Sequence, residues 1–459
     1  MADASAGGAS YRDAALFTDF YQLTMLQAYV LEGMDETATF DLFVRRMRHR
    51  NYLVACGLDT ALAFLEQLRF TDEAIAYLRT LGLFRDSFLD YLQDFRFTGD
   101  VYAMGEGTPV FADEPLLEVV APMGEAQLVE TLLLNQITFQ TGIASKASRV
   151  VHAAQGRTVA DFGMRRMHGW DAAMKAARAC HVAGVGATSN VLAAQRYGLT
   201  PTGTMAHSYI EAHENEMDAF RAFAEIYPET TLLVDTYDTL DGVRKVIRLA
   251  RDLGDDFRVQ ALRLDSSDLV ALAKDARALL DDAGLTDVRL FASNSLDEHA
   301  IQDLLEQKAP IDGFGVGTRL GTMADQPYLD SVYKLSAYAG QDRMKLSSEK
   351  SNLPGRKQVY RFFDQGKATH DLIATAEETL DGTPLLECVM QGGERTETGR
   401  RTLDEVRVHC KESVAQLPGR LLALDEADPP YPVTLSDELQ RKLERVRQRT
   451  AQKADVATD

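Results

Sequence analysis

Seven short apolar segments between residues 157 and 320 each run into a cluster of polar side chains, at a recurrence few folds accommodate. In order they are TVADFGMRR (158–166), GVGATSN (184–190), PTGTMAHS (201–208), TLLVDTYD (231–238), VQALRLDSSD (259–268), VRLFASNS (288–295) and IDGFGVGT (311–318). Counted from Asp161 through Thr188, His207, Asp235, Asp265 and Asn294 to Gly317, the interval is 19 to 30 residues. Helical periodicity fills most of the gaps, so the pattern reads as strands alternating with crossover helices. That is the layout of an α/β chain with a β/α barrel, in which every strand's C-terminal end opens on one mouth. Seven converging polar clusters point to an enzyme.

The clearest helix signal is SDLVALAKDARALLDDAG (267–284), with Leu269, Val270, Leu272, Ala276, Leu279 and Leu280 on one stripe and Gly284 as its stop. The next opens on Ser295 and Glu298, the spacing of a capping box, and Pro310 closes it. At 459 residues the chain exceeds one simple core. The expected division is a disordered leader over 1–10, an α+β domain over 11–140, the barrel over 141–344, and a C-terminal segment over 345–459 packing with the N-terminal domain.

A net charge of −20 argues against a nucleic-acid surface. It also means that polyanionic substrates would need local arginines or a metal ion to overcome the overall field. No run approaches the ~18 apolar residues of a membrane span. MADASAGGAS at the start lacks the basic flank and apolar stretch of a secretory signal, so the cytoplasm is expected. The four cysteines lie far apart without a Cys-x-x-Cys pair, which supports neither a disulfide framework nor a zinc knuckle.

Within the clusters, Arg165 and Arg166 follow Asp161-Phe162-Gly163 and could grip a carboxylate or phosphate bidentately. His207 precedes a segment carrying Asp235 and Asp238; a carboxylate accepting the imidazole N–H would fix its tautomer and sharpen the other nitrogen as a nucleophile. Zinc is disfavoured, because no second His or Cys stands at ligand spacing. Arg263, Asp265, Ser266 and Ser267 combine a cation, an anion and two hydroxyls, a set suited to a sugar phosphate with Mg²⁺. Ser293, Asn294, Gly313, Gly315, Gly317 and Thr318 complete the mouth, the glycines falling where barrels often cradle a phosphate.

In this order and spacing the motifs resemble the nicotinate phosphoribosyltransferase family over almost the whole chain. They include TDFYQLTM (18–25), DFGMRR, ATSNVLAA, GTMAHS, VDTYD, LRLDSSDL, ASNSLDE, GVGT and KLSSEKSNLPGRKQVYR (345–361). The resemblance implies an irregular, type II phosphoribosyltransferase-like barrel with a mixed α+β domain built from both chain ends. It also implies formation of nicotinate mononucleotide and pyrophosphate from nicotinate and 5-phosphoribosyl 1-diphosphate in NAD salvage, with Mg²⁺ and with ATP as co-substrate.

By the same resemblance, His207 is the histidine phosphorylated from ATP, with Asp235 and Asp265 the carboxylates around it and the ribose–Mg²⁺ site. Tyr21 and Phe162 sandwich the pyridine ring, the tyrosine coming from the other subunit of a homodimer with shared active sites. Arg165 and Arg289 line the nicotinate and ribose-phosphate pocket, and Thr204 and Ser208 lie beside the acid. Gly315, Gly317 and Thr318 form the 5′-phosphate loop, and Asn352 falls in a donor-binding segment. The chain departs from the family at Met167-His168 (more often Ala-Gln), Ser267 (usually Gly) and Ser295 (usually Asp). Other readings are a nicotinamide enzyme, a quinolinate enzyme, which would need further cations, and a catalytically silent metabolite-binding barrel.

Overall fold

The computed structural model describes residues 11–266, 268–346 and 352–456. The chain forms two compact units, one spanning Lys146–Asp325 and the other built from the residues through Ser145 together with those from Gln326 onward.

The Lys146–Asp325 unit carries six parallel strands: β1 (Thr158–Asp161), β2 (Ala187–Thr188), β3 (Thr231–Leu233), β4 (Ala261–Leu264), β5 (Arg289–Ala292) and β6 (Gly313–Val316). Their order is β2-β1-β6-β5-β4-β3. The segment at 201–208, expected as a further strand, makes only a single parallel bridge from Pro201 to Thr188. Pro201 has no N–H to give a ladder and Gly203 follows at once, so the barrel wall is irregular there.

Alternation sorts each strand into two faces. Leu262, Leu264, Leu290, Ala292, Phe314 and Val316 are fully buried. The intervening positions are mostly small or polar, and register aligns Leu233, Arg263, Phe291, Gly313 and Thr158 across neighbouring strands.

The crossover helices follow from their sequences with two corrections. Leu269–Asp282 is capped by Asp268, which accepts from the Ala271 N–H, and Gly284 just past its end has φ 76°. Its buried positions are Leu269, Ala273, Ala276 and Leu280, whereas Val270, Leu272 and Leu279 flank the stripe half-buried. Helix Glu298–Glu306 is capped by Asp297 rather than Ser295. Asn294 and Ser295 take positive φ (92° and 51°), turning the chain before the helix begins. Glu298 is instead fully buried against Lys146 at 2.6 Å and Arg149 at 3.0 Å.

The other unit centres on a seven-stranded antiparallel sheet. Its strands run Gln341–Asp342, Ser331–Tyr338, Thr37–Val44, Pro115–Pro122, Asp100–Met104, Leu386–Gln391 and Glu394–Arg395 across the sheet. Residues 326–344, expected within the barrel, fold with this unit because Ser331–Tyr338 pairs antiparallel with Thr37–Val44. In a four-stranded sheet the hairpin Lys357–Asp364/Lys367–Thr375 turns on Gln365 and Gly366, both at positive φ. Asp41 lies directly opposite Glu118 in register, and the buried Lys357 ammonium stands 2.8 Å from Asp41 and 3.5 Å from Glu118. None of the four cysteines forms a disulfide. No described helix is long and apolar enough to cross a membrane.

Candidate active site

The mouth is organised from β1 outward. Asp161, at its end, is buried; Oδ1 accepts from the Gly163 N–H at 2.8 Å and Oδ2 from the Thr188 hydroxyl at 2.9 Å. Burial pushes this carboxyl up, and those two hydrogen bonds pull it back. The bonds tie the ends of β1 and β2 together and fix the start of the turn that carries Phe162, whose N–H donates to the Val316 carbonyl at 2.8 Å.

The half-buried Phe162 ring lies 6.1 Å from Phe291, tilted by 47°. A Cβ on Gly315 would come within 2.6 Å of two carbons of the Phe162 ring, and one on Gly313 within 2.8 Å of Phe291. Gly315, expected in a phosphate loop, therefore makes the floor for the ring. Gly317 caps the short helix Thr318–Gly321, and Thr318 is exposed.

Arg165 and Arg166 follow on a single 3-10 turn, both exposed, their guanidinium groups without a hydrogen-bond or ion-pair partner among the described residues. Their charge is free for an incoming anion. Arg263 on β4, by contrast, is fully engaged. Its Nε donates to the Ser293 hydroxyl at 2.9 Å, Nη1 to Thr204 at 3.1 Å and Nη2 to Asp265 Oδ2 at 2.6 Å. Its guanidinium also lies 5.6 Å from the Phe162 ring centroid. One side chain thus gathers the ends of β4 and β5, the 201–208 segment and the stacking ring.

His207 opens a five-residue helix, with Ser208 exposed beside it. The group facing its Nδ1 is the Thr236 hydroxyl, at 3.1 Å, and not the expected Asp235 or Asp238. Asp235 Oδ2 is drawn instead to the Asp265 N–H and the Ser266 hydroxyl, and its Oδ1 is buried without a hydrogen-bond partner. Asp238 caps helix Thr239–Leu253 by accepting from the Asp241 N–H at 2.7 Å.

Two further expectations are corrected. Arg289 is the first residue of β5, at the end of the strand away from the mouth; its Nη2 donates to Gln260 Oε1 at 3.1 Å. Asn352 is buried in the other unit with both amide atoms engaged, accepting from the Lys345 N–H and donating to the Leu335 carbonyl. Tyr21, also in that unit, is 48% exposed on helix Phe20–Glu32, near the exposed Phe17 and Phe20. Partial burial and then the Glu130 charge push its hydroxyl up. Ser267 lies outside the described residues.

Thr236, Phe291 and the Asp161–Thr188 clamp were given no role from sequence. Phe291 could have been found by counting two back from Ser293 along the strand, and Thr236 by its place beside Asp235. Among the described residues no group of three or more His, Cys, Asp or Glu side chains could hold a metal ion. Together the mouth offers a stacking ring, free cations for an anion, carboxylate oxygens and an imidazole with one nitrogen engaged.

Comparison with known proteins agrees with this chemistry. Residues 16–138 match the nicotinate phosphoribosyltransferase N-terminal domain, 158–347 the nicotinate phosphoribosyltransferase family, and 379–443 its C-terminal domain. Nicotinate phosphoribosyltransferase pncB2 of Mycobacterium tuberculosis is 51% identical over 434 residues, covering 94% of each chain. The Bacillus subtilis nicotinate phosphoribosyltransferase is 44% identical over 80% of this chain and 77% of its own. The crystal structure of human nicotinic acid phosphoribosyltransferase superimposes with a TM-score of 0.83 at 27% identity, covering 94% of this chain and 99% of that one. The chain therefore belongs to the nicotinate phosphoribosyltransferase family.

Proposed function

We propose that the protein joins nicotinate to 5-phosphoribosyl 1-diphosphate, releasing pyrophosphate and forming nicotinate mononucleotide for NAD synthesis, with ATP hydrolysed through a phosphohistidine at His207. The observation that carries the reading is the Phe162 ring held over a glycine floor beside Arg263 and the unpartnered Arg165 and Arg166.

The pyridine nitrogen is already neutral at pH 7, so the reaction needs no strong base. It needs the ring held against the ribose carbon and the departing pyrophosphate stabilised. Phe162 holds one face of the ring, and the exposure of Tyr21 supports a role for it on the other face from a second copy of the chain. Arg165 takes the nicotinate carboxylate, a cation where an amide would need only a neutral donor. Thr204 and Ser293, both bonded to Arg263, orient its guanidinium toward the ring and the donor.

Asp235, with a buried unpartnered oxygen, and Asp265 are hard donors of the kind Mg²⁺ takes, the remaining ligands being phosphate and water. When bound, Mg²⁺ would offset the charge of the leaving pyrophosphate. Thr236 occupies His207 Nδ1, which leaves Nε2 to accept the γ-phosphoryl group of ATP as ADP departs; water later takes that phosphoryl to give phosphate. The reaction belongs to the cytoplasm, since ATP and a phosphorylated sugar do not diffuse through membranes.

The test mixes purified protein and the phosphoribosyl donor with nicotinate or nicotinamide, with and without ATP, and identifies the products. Nicotinate should be turned over far better than nicotinamide, and γ-labelled ATP should leave an acid-labile, base-stable label. His207→Ala should lose that label and the benefit of ATP while sparing part of the ATP-independent transfer. Comparable kcat/KM for acid and amide would overturn the acid assignment, and a label surviving in His207→Ala would overturn the histidine's role.

A further inference from the structure

A cavity of about 650 Å³ in the barrel unit is at the end of the strands away from His207. It exists because the inner face there carries Thr158, Ala261 and Gly313, where barrels are commonly filled by layers of bulky side chains. Its walls include Phe223, Tyr227 and Phe291, the first two with ring centroids 5.0 Å apart.

Its rim holds an informative arrangement. Gln260 Oε1 accepts from Arg289 Nη2 at 3.1 Å, and Gln260 Nε2 donates to Glu229 Oε2 at 3.1 Å. A carboxamide thus bridges a guanidinium donor and a carboxylate acceptor. The other guanidinium N–H groups of Arg289 and the second Glu229 carboxylate oxygen have no partner among the described residues, so the same pair can receive another amide. Asp312 also lines the space, its Oδ2 accepting from the Leu290 N–H at 2.8 Å. One cation against two carboxylates, on a chain of net charge −20, disfavours an anionic ligand.

We propose that this cavity is a second ligand site, taking an uncharged planar heteroaromatic carboxamide whose ring meets the aromatic wall and whose amide spans Arg289 and Glu229. Binding there rests on these contacts alone. Two lining groups also reach the mouth: Thr204 accepts from Arg263, and Phe291 packs by Phe162. Occupancy should therefore shift the KM for nicotinate, a consequence that rests on the proposed reaction.

The test is equilibrium dialysis of the full chain against labelled nicotinamide, with unlabelled nicotinate as competitor. One saturable equivalent per chain, poorly displaced by nicotinate, is expected. Arg289→Leu and Tyr227→Ala should each weaken it about tenfold, the scale of a lost charged hydrogen bond or aromatic contact. Phe162→Ala should leave it unchanged, and Tyr227→Ala should keep normal nicotinate turnover while losing the effect of nicotinamide on KM. Absence of saturable binding to folded wild-type protein overturns the proposal. So does binding that is lost in Phe162→Ala but unchanged in both rim variants, since nicotinamide would then sit at the mouth. A protein that binds nicotinamide in this pattern yet does not convert nicotinate would refute the reaction and leave the site standing.

Discussion

The two units use the same charged residue types to opposite ends. At the barrel mouth, the Arg263 and Asp265 side chains keep 16% and 22% of their exposure. In the other unit, Asp41 and Glu118 of the seven-stranded sheet keep 2% and 0%, and Lys357, at the start of a strand of the four-stranded sheet, keeps 2%. The first cluster stands at strand ends, where backbone pairing has stopped and side chains can turn toward a ligand. The carboxyls of the second stand in mid-sheet, where register sets Asp41 opposite Glu118 and two like charges would repel without the Lys357 ammonium that reaches them from the start of a strand in the neighbouring sheet. A charged cluster therefore signals function by where it stops the sheet, and structure where the sheet runs through it.

The largest expected effect tests the structural half. Lys357→Met should cost about 3–5 kcal/mol of stability by leaving the buried Asp41 and Glu118 carboxyls without their ammonium partner, while the surviving folded enzyme keeps its kcat/KM. Denaturant melts paired with active-site titration would show this, and an equal loss in both readouts would erase the contrast. Next, Arg263→Ala should lower kcat/KM by about 10²–10³-fold, as for removal of one preorganised donor, with little change in the melting midpoint. A collapse of stability there would make Arg263 a structural residue like Lys357.

A third effect is one of pH. Burial pushes the Glu118 carboxyl up to about 8, with Lys357 pulling it down and Asp41 adding to the rise. A carboxyl raised on folding contributes stability that is full below the ordinary carboxylate range and is lost as pH rises through the folded value. The melting midpoint should therefore drift down as pH rises toward about 8, and Glu118→Gln should remove part of that slope. Identical slopes in both proteins would remove Glu118 from the account.

Much of the barrel is legible because strand and helix periods differ so plainly: six of the seven apolar segments become paired strands. The exception, at Pro201, was signalled by a residue that cannot donate to a ladder. Placement within a strand was harder to read. Arg263 and Arg289 sit in similar-looking runs, LRLD and VRLF, yet one is the third residue of β4 and the other the first of β5. Which end an arginine reaches depends on where pairing begins, and composition does not carry that. The His207 partner failed for a related reason. Asp235 and Thr236 are adjacent, and only the pull of the Asp265 N–H and the Ser266 hydroxyl decides which of them faces the imidazole. Asn352 looked like a ligand residue because its motif did, while its amide serves its own unit.

The glycine floor beneath Phe162 also bears on how this site can change over generations. With a Cβ at position 315 falling 2.6 Å from the ring, any other residue there must displace Phe162 from its place. Enlarging residue 315 with the ring kept in place would require residue 162 to shrink first, and that step gives up the ring surface of the proposed nicotinate site. The two positions are locked as a pair, and drift at this mouth must begin elsewhere, at exposed arginines and turns that nothing overhangs.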